Sequence, residues 1–217
     1  TNEKSFVVNC YSLIFMSGLF GPPPLKTLTV SPIPAGIGQG FPGLLYVSTM
    51  SYLNPRDLPV GLRSTALTTF YSDLLAVHEV AHQWWGNLVT SPSYQEDWLQ
   101  ESLANYSALL YLEKKKGPKA VDAVLESYRE HLLAKDEDGS MIDAAGPISL
   151  GTRLRSSKTR EAWRVITYEK GTWIMHMLRR QMGDAAFLKL LREAVARHSL
   201  KELTSAEFSK LAAELSP

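Results

Sequence analysis

The feature that most narrows how this chain can fold is the run His78-Glu79-Val80-Ala81-His82, with Glu101 nineteen residues beyond the second histidine. Two histidines four apart stack on the same face of a helix, about one turn from each other, so that their imidazoles can grip one ion. Glu79, between them, can reach a water held at that ion's open position. A catalytic zinc site takes three protein ligands and leaves a fourth position free. The third ligand must come from another element, because the next position on that face is Gly86. Glu101 sits one turn inside the next predicted helix, and an antiparallel return of that helix lets its carboxylate face both imidazoles. The pattern thus implies two facing helices around a His78, His82, Glu101 site for one Zn²⁺. Zinc bound there would lower the pKa of its water to about 7, and Glu79 would take the proton during attack on a carbonyl and pass it to the leaving amine.

The flanks of the motif are apolar, Leu74-Leu75-Ala76-Val77 before it and Trp84-Trp85 after it. Two histidines and a glutamate buried among such residues are costly without a compensating ion. That argues against an exposed helix carrying the three residues by accident. The other histidines, His131, His176 and His198, have no comparable partner pattern and are assigned no role. The only cysteine, Cys10, leaves no internal disulfide and no sulfur-rich cluster, so the ion must be held by nitrogen and oxygen. With 23 basic and 22 acidic residues and no basic stripe, composition argues against nucleic acid as a partner.

At 217 residues and 45% hydrophobic content, the chain can bury a sizeable core and reads as one domain. A small β-containing lobe is expected over residues 1–60 and a helical lobe with the zinc site over 61–217. The chain opens on Thr1 without a methionine, which suggests a domain excised from a longer protein with flanking domains. Residues 5–21 are apolar, but Asn9, Ser12, Ser17 and Gly18 interrupt them, and they fall short of the roughly 20 residues that a bilayer span needs. A buried helix is expected there, with no membrane insertion.

Helix is predicted over residues 3–17, ending before the Gly21-Pro22-Pro23-Pro24 block. Short β runs follow at Leu25 to Val30 and Gly43 to Ser48, separated by a Pro/Gly loop over 32–43. Further helices are predicted over 64–85, 97–115, 119–134 and 161–182, with a break at Gly183 and a continuation to about Arg197. Residues 135–160 read as a long polar surface excursion. Thr204-Ser205-Ala206-Glu207 has the form of a capping box that opens a last short helix.

The stretch HEVAHQWWGN followed by WLQESLANY resembles the HExxH-x18-E motif of the M1 (aminopeptidase N / leukotriene A4 hydrolase-like) gluzincin metallopeptidases. The second block usually reads WLNEGFA in that family, so Gln100 and Ser102 depart from it. Tyr168-Glu169-Lys170-Gly171 matches the family's YEKG, and Leu19-Phe20-Gly21-Pro22-Pro23-Pro24 is similar to its FGPYP. The resemblance runs from about residue 13 to the C-terminus. It implies an α+β, thermolysin-like zincin catalytic domain with a small sheet lobe and a mainly helical lobe. It also implies His78, His82 and Glu101 as zinc ligands, Glu79 as general base, and Tyr168 as hydrogen-bond donor to the tetrahedral oxyanion. A phenol so placed favours the transition state over the ground state. Asn105, four residues past Glu101, faces the same way and is read either as orienting a ligand histidine or as a surface amide.

One segment departs from the family pattern. The resemblance implies a substrate-amine-binding loop on the edge strand before the zinc helix, and here that loop reads Ile37-Gly38-Gln39-Gly40-Phe41-Pro42-Gly43. Aligned on Pro-Gly, Gly40 stands where the family has its amine-binding glutamate and Phe41 where it has asparagine. Glycine offers a protonated amine no carboxylate, and Gln39 offers only a neutral amide. Gly38, Gln39, Gly40 and Phe41 are therefore the expected substrate-contacting positions. Aminopeptidase action on a peptide leads. An endo- or oligopeptidase, another zinc hydrolase that needs no free N-terminus, and a non-catalytic module stabilised by metal are the alternatives.

Overall fold

The computed structural model describes residues 2–136, 139–156, 158–159 and 161–216. Helix α1 (Asn2–Phe20) leads into a three-stranded sheet made of β1 (Thr29–Ile33), β2 (Gln39–Phe41) and β3 (Leu44–Ser48). The strand order is β1-β3-β2, with β1 parallel and β2 antiparallel to β3, which leaves β2 at an edge. Leu45 and Val47 of β3 point into the core beneath α3 (Leu75–Ala81). The first strand begins four residues later than the β-former run suggests, and β2 forms inside the predicted loop. Gly40 accounts for β2: alternation leaves Gln39 and Phe41 exposed and turns only a hydrogen toward α3.

The helix predicted over 64–85 is three pieces: α2 (Thr65–Thr69), a π-helical turn Phe70–Leu74, and α3. It ends at His82, and both tryptophans that follow are fully buried. Their indole N–H groups donate to the Gly21 carbonyl at 3.1 Å (Trp84) and to Ser107 Oγ at 3.1 Å (Trp85), and Phe20 packs edge-on against both rings. The Gly-Pro turn after α1 is thereby fastened to the end of the histidine helix.

Helix α4 (Asp97–Lys116) runs beside α3 and is buried along most of its length. Three lysines in its last turn suit the negative end of the helix dipole, Gly117 stops it at φ 84°, and Pro118 opens α5 (Pro118–Leu133). A two-residue pair, β4 (Val89–Thr90) with β5 (Lys201–Glu202), ties the turn after α3 to the C-terminal part of the chain. Helix α6 (Ala162–Arg164), a second π-helical turn Val165–Lys170, α7 (Gly171–Met182), α8 (Asp184–His198) and α9 (Ser205–Leu215) complete the fold. Gly183 breaks α7 from α8 at φ 82°, and Thr204 and Glu207 form the reciprocal capping box. One apolar core joins α1, β3, α3, α4, α5, α7, α8 and α9, so the sheet and the helices share an interior.

Residues 135–160 differ from the expected polar excursion; positions 137, 138, 157 and 160 lie outside the described residues. Two 3₁₀ segments, Ile142–Ala145 and Ile148–Ser156, fold there, the second kinked at Gly151. Leu154 is buried with Ala162 and Ile166 in a second small core, partly covered by Ile142, Ile148, Leu150 and Trp163. Their spacing follows neither a 3.6 nor a 2.0 period, which hid them among polar neighbours. Helix α1 is half-buried: Ser12, Met16 and Phe20 face the core while Tyr11 and Ile14 face out. No helix among the described residues is long and apolar enough to cross a membrane.

Candidate metal centre and active site

His78 and His82 come from the last turn of α3 and Glu101 from the second turn of α4. Glu101 Oε2 lies 3.4 Å from Nε2 of each histidine, and the two Nε2 atoms are 3.0 Å apart. Tetrahedral zinc with ligand bonds near 2.0–2.1 Å would set its ligand atoms about 3.3 Å apart. The triangle therefore has the size of a zinc site. Glu101 Oε2 is buried without a hydrogen-bond partner, a costly state that a cation would relieve. His82 Nδ1 sits 2.8 Å from the Trp85 carbonyl, and that bond keeps a proton on Nδ1 and leaves Nε2 free for an ion. The donor set, its spacing and its orphaned oxygen all fit a zinc ion.

The three groups also stabilise one another's charge. Burial works against charge on Glu101, but His82 and His78 beside it outweigh burial and hold its carboxyl well below the usual carboxylate range. Burial likewise opposes charge on His82, and the Glu101 carboxylate lifts its pKa to about 9. Glu79 is buried at 4% exposure, and desolvation raises its pKa against the pull of His78 and His82.

Tyr168 enters from the π-helical turn, with its ring 5.9 Å from that of His78. Burial first, then the Glu101 and Glu79 carboxylates, push its pKa far up, so it remains a phenol that can donate. Trp163 packs edge-on against it at 5.4 Å, and the Arg155 guanidinium stacks 3.7 Å above that indole. All five residues inferred for chemistry, His78, Glu79, His82, Glu101 and Tyr168, are thus brought together.

Edge strand β2 lies directly over α3. A Cβ on Gly38 would fall 2.5 Å from Glu79 Oε1, and one on Gly40 would fall 2.6 Å from the Glu79 carbonyl oxygen and 2.7 Å from His82 Cβ. At Gly40 the obstruction is backbone and a ligand Cβ, so no side chain fits there while the strand holds this place; at Gly38 the obstruction is the Glu79 side chain itself. The exposed Gln39 and Phe41 alternate with these glycines and so sit on the opposite pleat. Gln83, just past the second histidine, clamps the strand from beneath: its Nε2 donates to the Phe41 carbonyl at 2.8 Å and its Oε1 accepts from Gly43 N–H at 2.9 Å. Asn87 Nδ2 adds a bond to the Gly40 carbonyl at 3.2 Å. The forty-odd residues between Gln83 and its partners hid this clamp from any local pattern.

Asn105 is neither a surface amide nor a partner of the histidines. It is buried, and its Nδ2 donates to Thr172 Oγ1 at 2.9 Å and to Tyr128 Oη at 3.2 Å. Thr172 in turn donates to the Tyr168 carbonyl at 2.7 Å, so this amide serves the tyrosine side of the site. His131, given no role above, pairs through Nδ1 with Glu169 Oε2 at 2.9 Å. His176 bonds Tyr106 Oη at 3.2 Å, and His198 bonds the Glu202 carbonyl at 2.8 Å.

Comparison with known proteins accords with this geometry. The peptidase family M1 domain model matches residues 63–216, which includes every chemical group of the centre. The chain belongs to peptidase family M1. Aminopeptidase N of Lactococcus lactis is 33% identical over 153 residues, covering 65% of this chain and 16% of that protein. Human endoplasmic reticulum aminopeptidase 2 is 25% identical over 181 residues, covering 82% of this chain and 18% of its own length. This M1 domain therefore spans less than a fifth of either relative. Its fold matches an M1 zinc metallopeptidase of Deinococcus radiodurans bound to a Tyr-Ser-Ala substrate, with TM-score 0.65, 22% identity and coverage of 94% and 40%. It also matches yeast LTA4 hydrolase in complex with bestatin, with TM-score 0.70, 19% identity and coverage of 94% and 31%. At such identities these two likenesses speak for the fold alone.

Proposed function

We propose that this M1 domain holds one zinc ion through His78, His82 and Glu101 and hydrolyses peptide bonds, with aminopeptidase action as the leading reading. The observation that carries it is the buried Glu101 oxygen, 3.4 Å from both histidine nitrogens and without a hydrogen-bond partner, with the Glu79 carboxyl close by. Zinc bound there would supply Lewis acidity that polarises the carbonyl and makes water a nucleophile near neutral pH. Glu79, buried beside both histidines, accepts the proton of the attacking water and returns it to the departing amine. Tyr168 donates its phenolic proton in a hydrogen bond to the oxygen on which charge develops. Aminopeptidase action is supported by the relatives named above.

The test is Glu79→Gln in the full-length protein, with zinc content measured in parallel. Loss of turnover by about 10² to 10⁴ at full zinc occupancy supports the assigned base. Full activity at normal metal content would remove it.

A second reading rests on Gly38 and Gly40, which present no carboxylate to a substrate amine, and at Gly40 the backbone beneath leaves no room for one. On that reading the enzyme accepts peptides without a free N-terminus. Matched peptides with free and acetylated N-termini decide between the readings. Comparable kcat/KM on both favours endo- or oligopeptidase action, and strong preference for the free amine favours aminopeptidase action.

A further inference from the structure

Tyr168 is delivered by a π-helical turn, Val165–Lys170, between α6 and α7. Such a turn carries one residue more than an α-turn and rotates the side chains beyond it, so the aim of Tyr168 depends on the turn keeping its register. The neighbouring residues are tied outward. Glu169 is 2% exposed, with both carboxylate oxygens engaged: His131 Nδ1 of α5 lies 2.9 Å from Oε2, and Arg164 Nη1 bonds Oε1. Lys170 Nζ meets Asp143 at 2.8 Å, and Thr172 Oγ1 donates to the Tyr168 carbonyl.

Burying a carboxylate this deeply is costly, and an apolar residue of like size would fill the space as stably. What the apolar residue would not supply is a fixed two-sided attachment of the turn to α5 and to the end of α6. We infer that Glu169 is a positioning residue for catalysis: the His131–Glu169–Arg164 bracket holds the π-turn in the register that points Tyr168 at the metal centre. Glu169 itself touches neither the metal ligands nor Glu79 among its hydrogen bonds and ion pairs. The inference rests on the reading of Tyr168 as the oxyanion donor.

The experiment is a double-mutant cycle in the full-length, zinc-loaded enzyme on one peptide, with Tyr168→Phe, Glu169→Gln and the pair, recording kcat, KM, zinc content and melting temperature. Glu169→Gln is expected to lower kcat about tenfold, with KM changed less than about twofold and zinc retained. In the Tyr168→Phe background it is expected to lower kcat by less than about twofold, because no phenol is left to aim. A merely structural role would lower the melting temperature in both backgrounds and leave kcat of the folded enzyme alone. An equal loss of kcat in both backgrounds, or no loss in either, overturns the inference and leaves the Tyr168 reading standing. A neutral Tyr168→Phe overturns that reading and the inference together. Should Glu169→Gln not fold, His131→Gln removes one arm of the bracket from its exposed side. It must show the same dependence on Tyr168, at a smaller kcat loss of about threefold.

Discussion

Gly38 lies so close to Glu79 that a methyl group on it would sit 2.5 Å from the carboxylate oxygen Oε1. The obstructed atom is the end of a movable side chain, so Gly38→Ala can be absorbed by swinging Glu79 aside. The expected result is a fall in kcat of about tenfold or more, with stability changed by less than about 1 kcal/mol and zinc retained. Gly40→Ala meets backbone and a ligand Cβ instead, at 2.6 and 2.7 Å, so β2 itself must move. That variant should lose about 1–3 kcal/mol of stability. Urea unfolding beside steady-state kinetics separates the two alanines, and equal behaviour would show that the strand yields at both.

Metal binding should be visible as stability. The centre packs Glu101 and two imidazoles into a buried triangle, and Glu101 Oε2 has no other partner. Zinc at one hundred times its dissociation constant adds about 2.7 kcal/mol by linkage. The melting temperature is expected to rise on zinc addition and to fall back with chelator. Glu101→Ala should abolish the zinc-dependent rise, and a rise that survives it would place the ion elsewhere.

His131 gives the fold a pH dependence of predictable sign. Its hydrogen bond to Glu169 raises its pKa above the ordinary value of 6.5, against partial burial, with Glu130 assisting and Arg164 opposing. A histidine raised on folding contributes stability that is whole below its unfolded pKa and fades as pH climbs through the folded one. Stability should therefore decline over a window that opens near pH 6.5, and His131→Gln should flatten that decline. Chemical denaturation across pH reads this directly, and an unchanged slope in the variant would mean that His131 carries no such linkage.

The parts of the site that could be read from the sequence are those whose partners lie within helical reach. His78, Glu79 and His82 declare themselves by spacing, and Glu101 by its place one turn into the next helix. Tyr168 is one of nine tyrosines and stands out only through the YEKG resemblance, because the π-turn that delivers it follows no simple period. Strand β2 was hidden because Gln39-Gly40-Phe41 lacks a run of β-formers; its place is set by two glycines packing on a helix. Asn105 was readable as important but not in its direction, since Thr172 and Tyr128 come from α7 and α5.

Gln83 offers the most direct test of how the strand is held. One buried amide serves both the Phe41 carbonyl and the Gly43 N–H, at 2.8 and 2.9 Å. Gln83→Ala removes both bonds and should cost about 1–3 kcal/mol. Gln83→Glu keeps the acceptor for Gly43 N–H but sets a carboxylate against the Phe41 carbonyl, so it should destabilise at least as much above the carboxylate's pKa and recover in acid. The clamp holds the strand that lies over Glu79, so loosening it should raise KM several-fold and leave zinc content unchanged. Unchanged KM in a destabilised, zinc-loaded Gln83→Ala enzyme would show that β2 keeps its place over α3 through the Asn87 bond and its pairing with β3 alone.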